Sequence, residues 1–294
     1  MGIFSGLRTL LVLGRVSNLP TVWTNAAVGW FLSGGTWSPE LGWVILGISL
    51  LYIAGMSLND AFDTRWDREN APDRPIPSGR ISPASVWIIG VLEMIGGAVI
   101  LVLFTSVHLW LIAALILCIL FYNWIHKRWK GSVTVMGLCR ALVYLSAGSA
   151  TVSGNGTLAF ENVVMMAAAI SVIYIAGLTL AARSEHLKSA TGPSRLARLM
   201  LMLPVLLPLL GSRTMSSSPV NIALTVVGVI GVWAWITITR SSLKERVPLG
   251  VAYAIAGIAF YDASILAFVD WRAAVAALVC FVLTLGAQRV IPAT

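Results

Sequence analysis

The densest chemistry in this chain lies in one short segment, Ser57-Leu58-Asn59-Asp60-Ala61-Phe62-Asp63-Thr64-Arg65-Trp66-Asp67-Arg68-Glu69. Asn59, Asp63 and Asp67 recur every four residues and stack along one helical face, with Asp60 on the same side. Like charges at this spacing destabilise a helix by about 0.2–0.5 kcal/mol per pair. The cluster also closes an apolar run, where an uncompensated carboxylate costs more. A divalent cation reverses that penalty. Hard oxygens from carboxylates and a carboxamide suit Mg²⁺, which keeps several waters and favours one or two carboxylates plus a substrate phosphate. Asn59, Asp60, Asp63 and Asp67 are the metal candidates. The plainer alternative is a solvated helix end whose acids pair with Arg65, Arg68 and Arg74.

The chain continues Asn70-Ala71-Pro72-Asp73-Arg74-Pro75-Ile76-Pro77-Ser78-Gly79-Arg80-Ile81-Ser82. Three prolines and a glycine fix a tight, non-helical turn, and its arginines offer forked donors that match phosphate oxygens. Ser82-Pro83 then restarts a helix.

These residues need elements to hold them, and composition says which. Of 294 residues, 58% are hydrophobic and 11% are charged, against about 25% charged in a typical soluble domain. Mean hydropathy is +0.87. This excludes a soluble enzyme, a disordered chain and a nucleic-acid module. A β-barrel is excluded too, because the runs are apolar all round rather than alternating. Ten stretches approach the roughly 20 residues that a helical crossing needs: 19–34, 41–60, 84–105, 107–125, 133–152, 162–182, 196–211, 219–239, 249–268 and 272–290. The first and seventh are short for a perpendicular crossing. The fold class expected is therefore all-α, a polytopic transmembrane bundle of nine to ten spans forming a single membrane domain over 1–294.

Orientation follows from the cations. Of 20 Lys and Arg, only Arg213 and Arg272 fall in the loops after odd-numbered spans, and Arg140 lies inside a span. All others flank the opposite side, so an integral, multi-pass protein with both termini and both polar loops cytoplasmic is expected. The net charge of +8 is thus a topology signal, and no nucleic-acid partner is expected. Trp37, Trp43, Trp110, Trp124, Trp129 and Trp271 fall near span ends, as an interfacial belt requires. Cys118, Cys139 and Cys280 sit in apolar runs with no metal spacing and read as small buried hydrophobes. Arg140 in span five, Glu93 in span three and Asp262 in span nine are costly at membrane depth. Arg140 either reaches a phosphate in the bundle interior or pairs with one of those acids.

The pattern N-D-x-x-D-x-x-x-D at Asn59–Asp67, followed by D-R-P-x-P-S-G-x-I at Asp73–Ile81, resembles the first signature of the UbiA-type intramembrane prenyltransferases. The resemblance covers most of the chain. It implies a helix bundle, usually of nine spans, around a central cavity, with Mg²⁺ holding the diphosphate of an isoprenyl donor. Asn59 and Asp63 would hold the ion, and Asp60 and Asp67 would support it. Tyr122 with Lys127 or Arg128 loosely matches a Tyr and Lys that contact the phosphate; an aromatic belt with cationic anchors explains them equally well. Arg74 and Arg140 are further diphosphate candidates. Arg15 and Asn18 lie where the family has residues near the acceptor end of the cavity.

The family's second acidic motif is missing. Tyr174-Ile175-Ala176-Gly177-Leu178-Thr179-Leu180-Ala181-Ala182-Arg183-Ser184-Glu185-His186-Leu187-Lys188 contains no aspartate, and its single acid, Glu185, is flanked by Arg183 and Lys188. Three explanations stand. Arg183, with Lys188, replaces the second metal; Glu185 and His186 form a reduced metal site; or the loop has lost its role. The string Y-I-A-G-L-T-x-x-A-R-x-E is similar to a divergent, EboC-like branch. The resemblance implies Mg²⁺-dependent transfer of an isoprenyl group from a prenyl diphosphate to a hydrophobic or aromatic acceptor within membrane lipid, with Asn59, Asp63 and Arg183 as catalytic candidates. The rivals are a non-catalytic polyprenyl carrier that keeps only the first motif, an ion-coupled transporter using Glu93, Arg140 and Asp262, and a phosphatidyl-type transferase, whose D-G-x-x-A-R pattern is absent.

Overall fold

Three Ser-Pro pairs, Ser38-Pro39, Ser82-Pro83 and Ser218-Pro219, open three of the longest helices. Proline sits without cost in the first helical turn, where its missing N–H would have no partner. The preceding serine caps the turn: Ser82 Oγ accepts from the Ser85 amide at 3.0 Å and Ser218 Oγ from the Asn221 amide at 3.1 Å.

The structure is a computed structural model that describes residues 3–151, 162–186, 194–215 and 218–292. Its α-helices in chain order are α1 (Ile3–Leu13), α2 (Leu19–Leu32), α3 (Pro39–Phe62), α4 (Thr64–Asn70), α5 (Pro83–Phe104), α6 (Leu109–Ile125), α7 (Ser132–Ser149), α8 (Asn162–His186), α9 (Arg195–Met200), α10 (Leu206–Gly211), α11 (Pro219–Glu245), α12 (Val247–Leu266) and α13 (Trp271–Ala287). There is no strand among the described residues. The all-α expectation holds, and every one of the ten apolar stretches is helical.

The stretches are not equivalent, and the two short ones show why. Among the described residues, seven segments are long and apolar enough to cross a membrane, with α6 and α13 as shorter apolar helices. The first stretch, α2, has 14 residues and carries Thr21, Thr24 and Asn25, all buried. It runs between α3, α7, α12 and α13, so its polar groups find protein partners instead of lipid. The seventh is broken into α9, a 3₁₀ turn at Leu203–Val205, α10 and a second 3₁₀ turn at Ser212–Thr214. Pro204 and Pro208 account for the breaks, since each removes a backbone donor and crowds the preceding turn. By contrast, α11 turns a long apolar face outward: Val220, Ile222, Val227 and Ile230 are all more than 60% exposed, as a lipid-facing helix requires.

Close helix approach at two points sets the geometry that matters below. A Cβ on Gly29 of α2 would collide with the Tyr144 carbonyl oxygen of α7. A Cβ on Gly97 of α5 would lie 2.7 Å from the Gly47 carbonyl oxygen of α3. Only glycine lets these backbones touch.

Candidate functional site

Asn59 and Asp60 occupy the last turn of α3, Asp63 caps it, and Asp67 lies in α4. The Asp67 amide donates to the Asp63 carbonyl at 2.8 Å, so the two helices are almost continuous and the four-residue spacing does place these groups together. All four side chains are buried. Four buried polar groups, three of them acids, demand compensation. The fold supplies it from three other segments.

Asp67 accepts from Arg74 Nη1 at 2.9 and 3.0 Å. Asp60 Oδ1 lies 3.6 Å from Arg15 and 3.7 Å from Arg74 and accepts no hydrogen bond. Asp63 Oδ2 meets His126 Nε2 at 3.0 Å and Lys127 Nζ at 3.2 Å. The Asn59 amide donates to Asn123 Oδ1 at 3.2 Å, and Asn123 in turn donates to the Gly55 carbonyl at 3.0 Å. Burial pushes the Asp63 carboxyl up, but the His126 hydrogen bond and the charges of His126 and Lys127 outweigh it and hold it below the usual carboxylate range. Burial likewise opposes charge on Arg74, and Asp60 and Asp67 overcome it, raising its pKa.

Local sequence explains how these cations arrive. The proline-rich turn after α4 is pinned by Ile76, which packs with Leu13, Ala61 and Val86, and reverses at Gly79 with φ +73°. Arg80 holds the same turn through the Asp73 carbonyl, leaving Arg74 to face the acids. Arg15 adopts a left-handed backbone, φ 43°, the one non-glycine to do so among the described residues; strain of this kind persists only where surroundings impose it.

Next to this cluster lies a cavity of about 230 Å³. Arg15, Asn18, Tyr122 and Asn123 line the end beside the acids, and Ile48, Leu51, Leu115, Val143, Ile175, Val251 and Ile258 make its apolar wall. Arg140 also lines it, with its guanidinium carbon 5.7 Å from the centre of the Tyr52 ring. Tyr52 precedes Asn59 by seven residues on α3, so Arg140 lies about 10 Å deeper than the acids at 1.5 Å per residue. Behind it, Arg140 Nη1 donates to Asn25 Oδ1 at 2.8 Å. Asp262 accepts from Thr24 at 2.6 Å, the Asn25 amide at 2.7 Å and the Tyr144 hydroxyl at 2.7 Å.

The cavity thus joins an apolar wall to a polar end of Arg15, Asn18, Tyr122 and Asn123, and comparison with known proteins decides the family. The model of the UbiA prenyltransferase family matches residues 19–248. The chain belongs to this family. Among curated relatives are two digeranylgeranylglyceryl phosphate synthases. That of Methanothrix thermoacetophila is 38% identical over 96 residues, 31% of this chain and 35% of the relative. That of Natronomonas pharaonis is 28% identical over 150 residues, 51% of this chain and 52% of the relative. The chain thus spans about a third to a half of these relatives' length. The fold resembles a UbiA homologue from Aeropyrum pernix in its apo form, with TM-score 0.65 at 16% identity, covering 87% of this chain and 98% of that one. It also resembles a UbiA homologue from Archaeoglobus fulgidus bound to GPP and Mg²⁺, with TM-score 0.56 at 15% identity, covering 87% and 99%.

The UbiA-type residues singled out by sequence divide into three groups. Asn59, Asp60, Asp63, Asp67, Arg74, Lys127 and Arg15 form the cluster, and Tyr122 stacks on the His126 ring with centroids 5.2 Å apart. Others point elsewhere. Arg183 donates to the Lys130 and His126 carbonyls at 3.1 Å and to Ser132 Oγ at 2.7 Å, which ties α8 to the turn after α6 and does not bring its guanidinium onto the acids. Arg128 is exposed. Asn18 lines the polar end of the cavity, and its Oδ1 accepts from Gln288 at 3.2 Å. Glu93 accepts from Ser57 at 3.1 Å, so of the two acids weighed as partners for Arg140 it is Asp262 that shares its network. The third group, the Glu185 side chain and Lys188, lies outside the described residues.

Sequence reasoning missed His126 and Asn123. Their signal was present: Asn123, His126 and Lys127 are spaced i, i+3, i+4 at the end of α6 and share a face. Among the described residues no three His, Cys, Asp or Glu side chains are arranged as a metal cage. The donor set nevertheless fits Mg²⁺, which takes one or two carboxylates and completes its shell with water and substrate phosphate. Asn59, Asp63 and the buried Asp60 Oδ1, which accepts no hydrogen bond, are the oxygens on hand.

Proposed function

We propose that this UbiA-family protein transfers an isoprenyl group from a prenyl diphosphate to a hydrophobic or aromatic acceptor inside the membrane, with Mg²⁺ at the α3 acidic cluster. The observation that supports this most directly is the junction itself: Arg15, paired with buried Asp60, and Asn123, bonded to buried Asn59, line the polar end of an apolar cavity. Asn59 and Asp63 would hold the ion, with Asp60 and Asp67 behind them. When bound, Mg²⁺ supplies Lewis-acid charge to the diphosphate and a fixed template for it. Arg15, Arg74 and Lys127 then place positive charge where the diphosphate departs with the electron pair of its C–O bond. The apolar wall keeps water from the allylic cation that remains, and the acceptor closes the new bond with loss of a proton. The acidic cluster and the polar loops lie on the cytoplasmic side in this reading, in keeping with the cation distribution.

The Archaeoglobus homologue bound to GPP and Mg²⁺ and the archaeal synthases support a diphosphate donor by kinship. One observation favours a second reading, a polyprenyl carrier without turnover: Arg183 gives three hydrogen bonds to the α6–α7 turn, which leaves fewer of its donors to stand in for a second metal. Purified protein incubated with geranyl, farnesyl or geranylgeranyl diphosphate separates the two. The transferase releases inorganic diphosphate only with Mg²⁺, and Asp63→Asn lowers the rate by about 100-fold or more. Tight binding without release under any acceptor establishes the carrier instead.

A further inference from the structure

The deeper polar network places one cation and one anion on different helices inside the bundle. Thr24 and Asn25 of α2, Arg140 and Tyr144 of α7 and Asp262 of α12 meet inside the bundle, and Asp262 and Asn25 are each 1% exposed. The Asp262 carboxylate accepts from three donors on two helices. Arg140 is bound to the same Asn25 that donates to Asp262. One positive and one negative charge are therefore tied together through a single amide in a low-dielectric interior. The set is electroneutral.

Only Nη1 of Arg140 has a protein hydrogen-bond partner among the described residues. Arg140 lines both the large cavity, beside Tyr52, and the smaller pocket around Asn25, Tyr144 and Asp262. A half-buried guanidinium with donors left over at an apolar cavity has hydrogen bonds to offer an acceptor there. We propose that Arg140 is the acceptor-reading group of this cavity: its free N–H groups take an uncharged oxygen, a hydroxyl or carbonyl on an apolar ring or chain, and the Asp262 charge turns carboxylates and phosphates away. This rests on the transferase reading, whose acceptor class it narrows. An anion at Arg140 would leave the network with a net negative charge inside the membrane, where such charge is costly. A neutral oxygen completes the hydrogen bonding and keeps the balance. The acceptor accordingly differs in charge from the phosphate in the names of the archaeal relatives.

Depth agrees with this division. The acids hold the diphosphate end, and Arg140 lies about 10 Å farther along α3. An acceptor seated there meets the hydrocarbon side of the donor instead of competing for the cations around Asp60 and Asp63. The Gly29–Tyr144 contact fixes the α2–α7 crossing and so sets the distance between Asn25 and Arg140.

A pair of probes equal in shape and different in charge tests the idea. At about pH 7.5, 1-naphthol is neutral and 1-naphthoate is an anion, since phenols and carboxylic acids titrate near 10 and 4. Binding of each is measured on the purified full chain in detergent, with geranyl diphosphate and Mg²⁺ binding measured separately on the same sample. The ratio of naphthol to naphthoate affinity, compared between wild type and variants, cancels partition into detergent. Asp262→Asn removes the balancing charge and keeps the side chain's shape; the ratio is expected to swing toward naphthoate by about tenfold or more. Arg140→Gln removes the donors that read the neutral oxygen and is expected to lower naphthol affinity by about tenfold. A ratio unchanged by both variants, or a wild type in which Arg140→Gln costs only naphthoate its affinity, overturns the proposal. If Asp262→Asn does not fold, Arg140→Gln alone decides it. Failure of wild type to bind geranyl diphosphate defeats the transferase reading, whereas the naphthol ratio speaks to Arg140 alone.

Discussion

Two polar stations share one cavity and are built on opposite plans. The acidic cluster at the end of α3 draws its acids from nine consecutive residues, Asn59 to Asp67, and its cations from the flanking segments at Arg15, Arg74, His126 and Lys127. The deeper network takes five residues from three helices. In the cluster one buried oxygen, Asp60 Oδ1, accepts no hydrogen bond, and its ion pairs are long at 3.6 and 3.7 Å. In the network every Asp262 oxygen is held at 2.7 Å or less. A station left partly unsatisfied is ready to exchange protein partners for a ligand; a fully satisfied one is committed to structure and offers only its outer edge. Here that edge is Arg140.

The difference has consequences that substitution can break. The largest is expected at Asp262. Its replacement by Ala leaves Arg140 buried without compensation, and removing one partner of such a pair costs about 3–5 kcal/mol. Asp60→Asn removes two long ion pairs and leaves Arg74 bonded to Asp67, and is expected to change stability by only about 1 kcal/mol. Thermal or denaturant unfolding in detergent compares them directly, and equal losses would mean that the two stations are not built differently.

A smaller loss tests what positions the network. Gly29→Ala forces α2 and α7 apart at Tyr144, which should cost about 1–3 kcal/mol, as overpacking does. It should weaken naphthol binding at Arg140 more than geranyl diphosphate binding at the acids. Equal weakening of both would show that the helix crossing serves the whole cavity and not the network.

The smallest effect lies outside both stations. Asp270 caps α13, accepting from the Arg272 and Ala273 amides at 2.7 and 2.9 Å. Its slight burial opposes ionisation, but the Ala273 amide, the Trp37 indole and the Arg272 amide outweigh it and hold its carboxyl below the usual range. A group whose folded pKa is depressed adds stability that is present above its unfolded value, near 3.9, and is lost as pH falls through the folded value. Asp270→Asn should therefore remove a small part of the acid destabilisation measured below about pH 4 and leave stability near neutrality almost unchanged.

The same contrast explains how much could be read in advance. The cluster was legible because its acids lie in register on one helix and its arginine turn follows within twenty residues; local spacing carries that information. The ten helical stretches were legible for the same reason, through runs of apolar residues. His126 was not, because a histidine joins an aspartate 63 positions away only when α6 packs beside α3. Nor was the partner of Arg140: Asn25 and Asp262 lie 237 residues apart in sequence, and only the α2–α7–α12 packing makes them neighbours. Arg183 has a structural role that its spacing did not announce. Its place opposite a missing acidic motif suggested a diphosphate ligand, while the fold uses it to hold backbone carbonyls after α6.

The central claim is that the α3 cluster holds a prenyl diphosphate through Mg²⁺. Its most direct test is the affinity of purified wild-type protein and Asp63→Asn for geranyl diphosphate, titrated with and without Mg²⁺. The account predicts binding that tightens with Mg²⁺ in the wild type and a Mg²⁺ effect that disappears in Asp63→Asn. Binding indifferent to Mg²⁺, or a Mg²⁺ effect that survives the substitution, would contradict it.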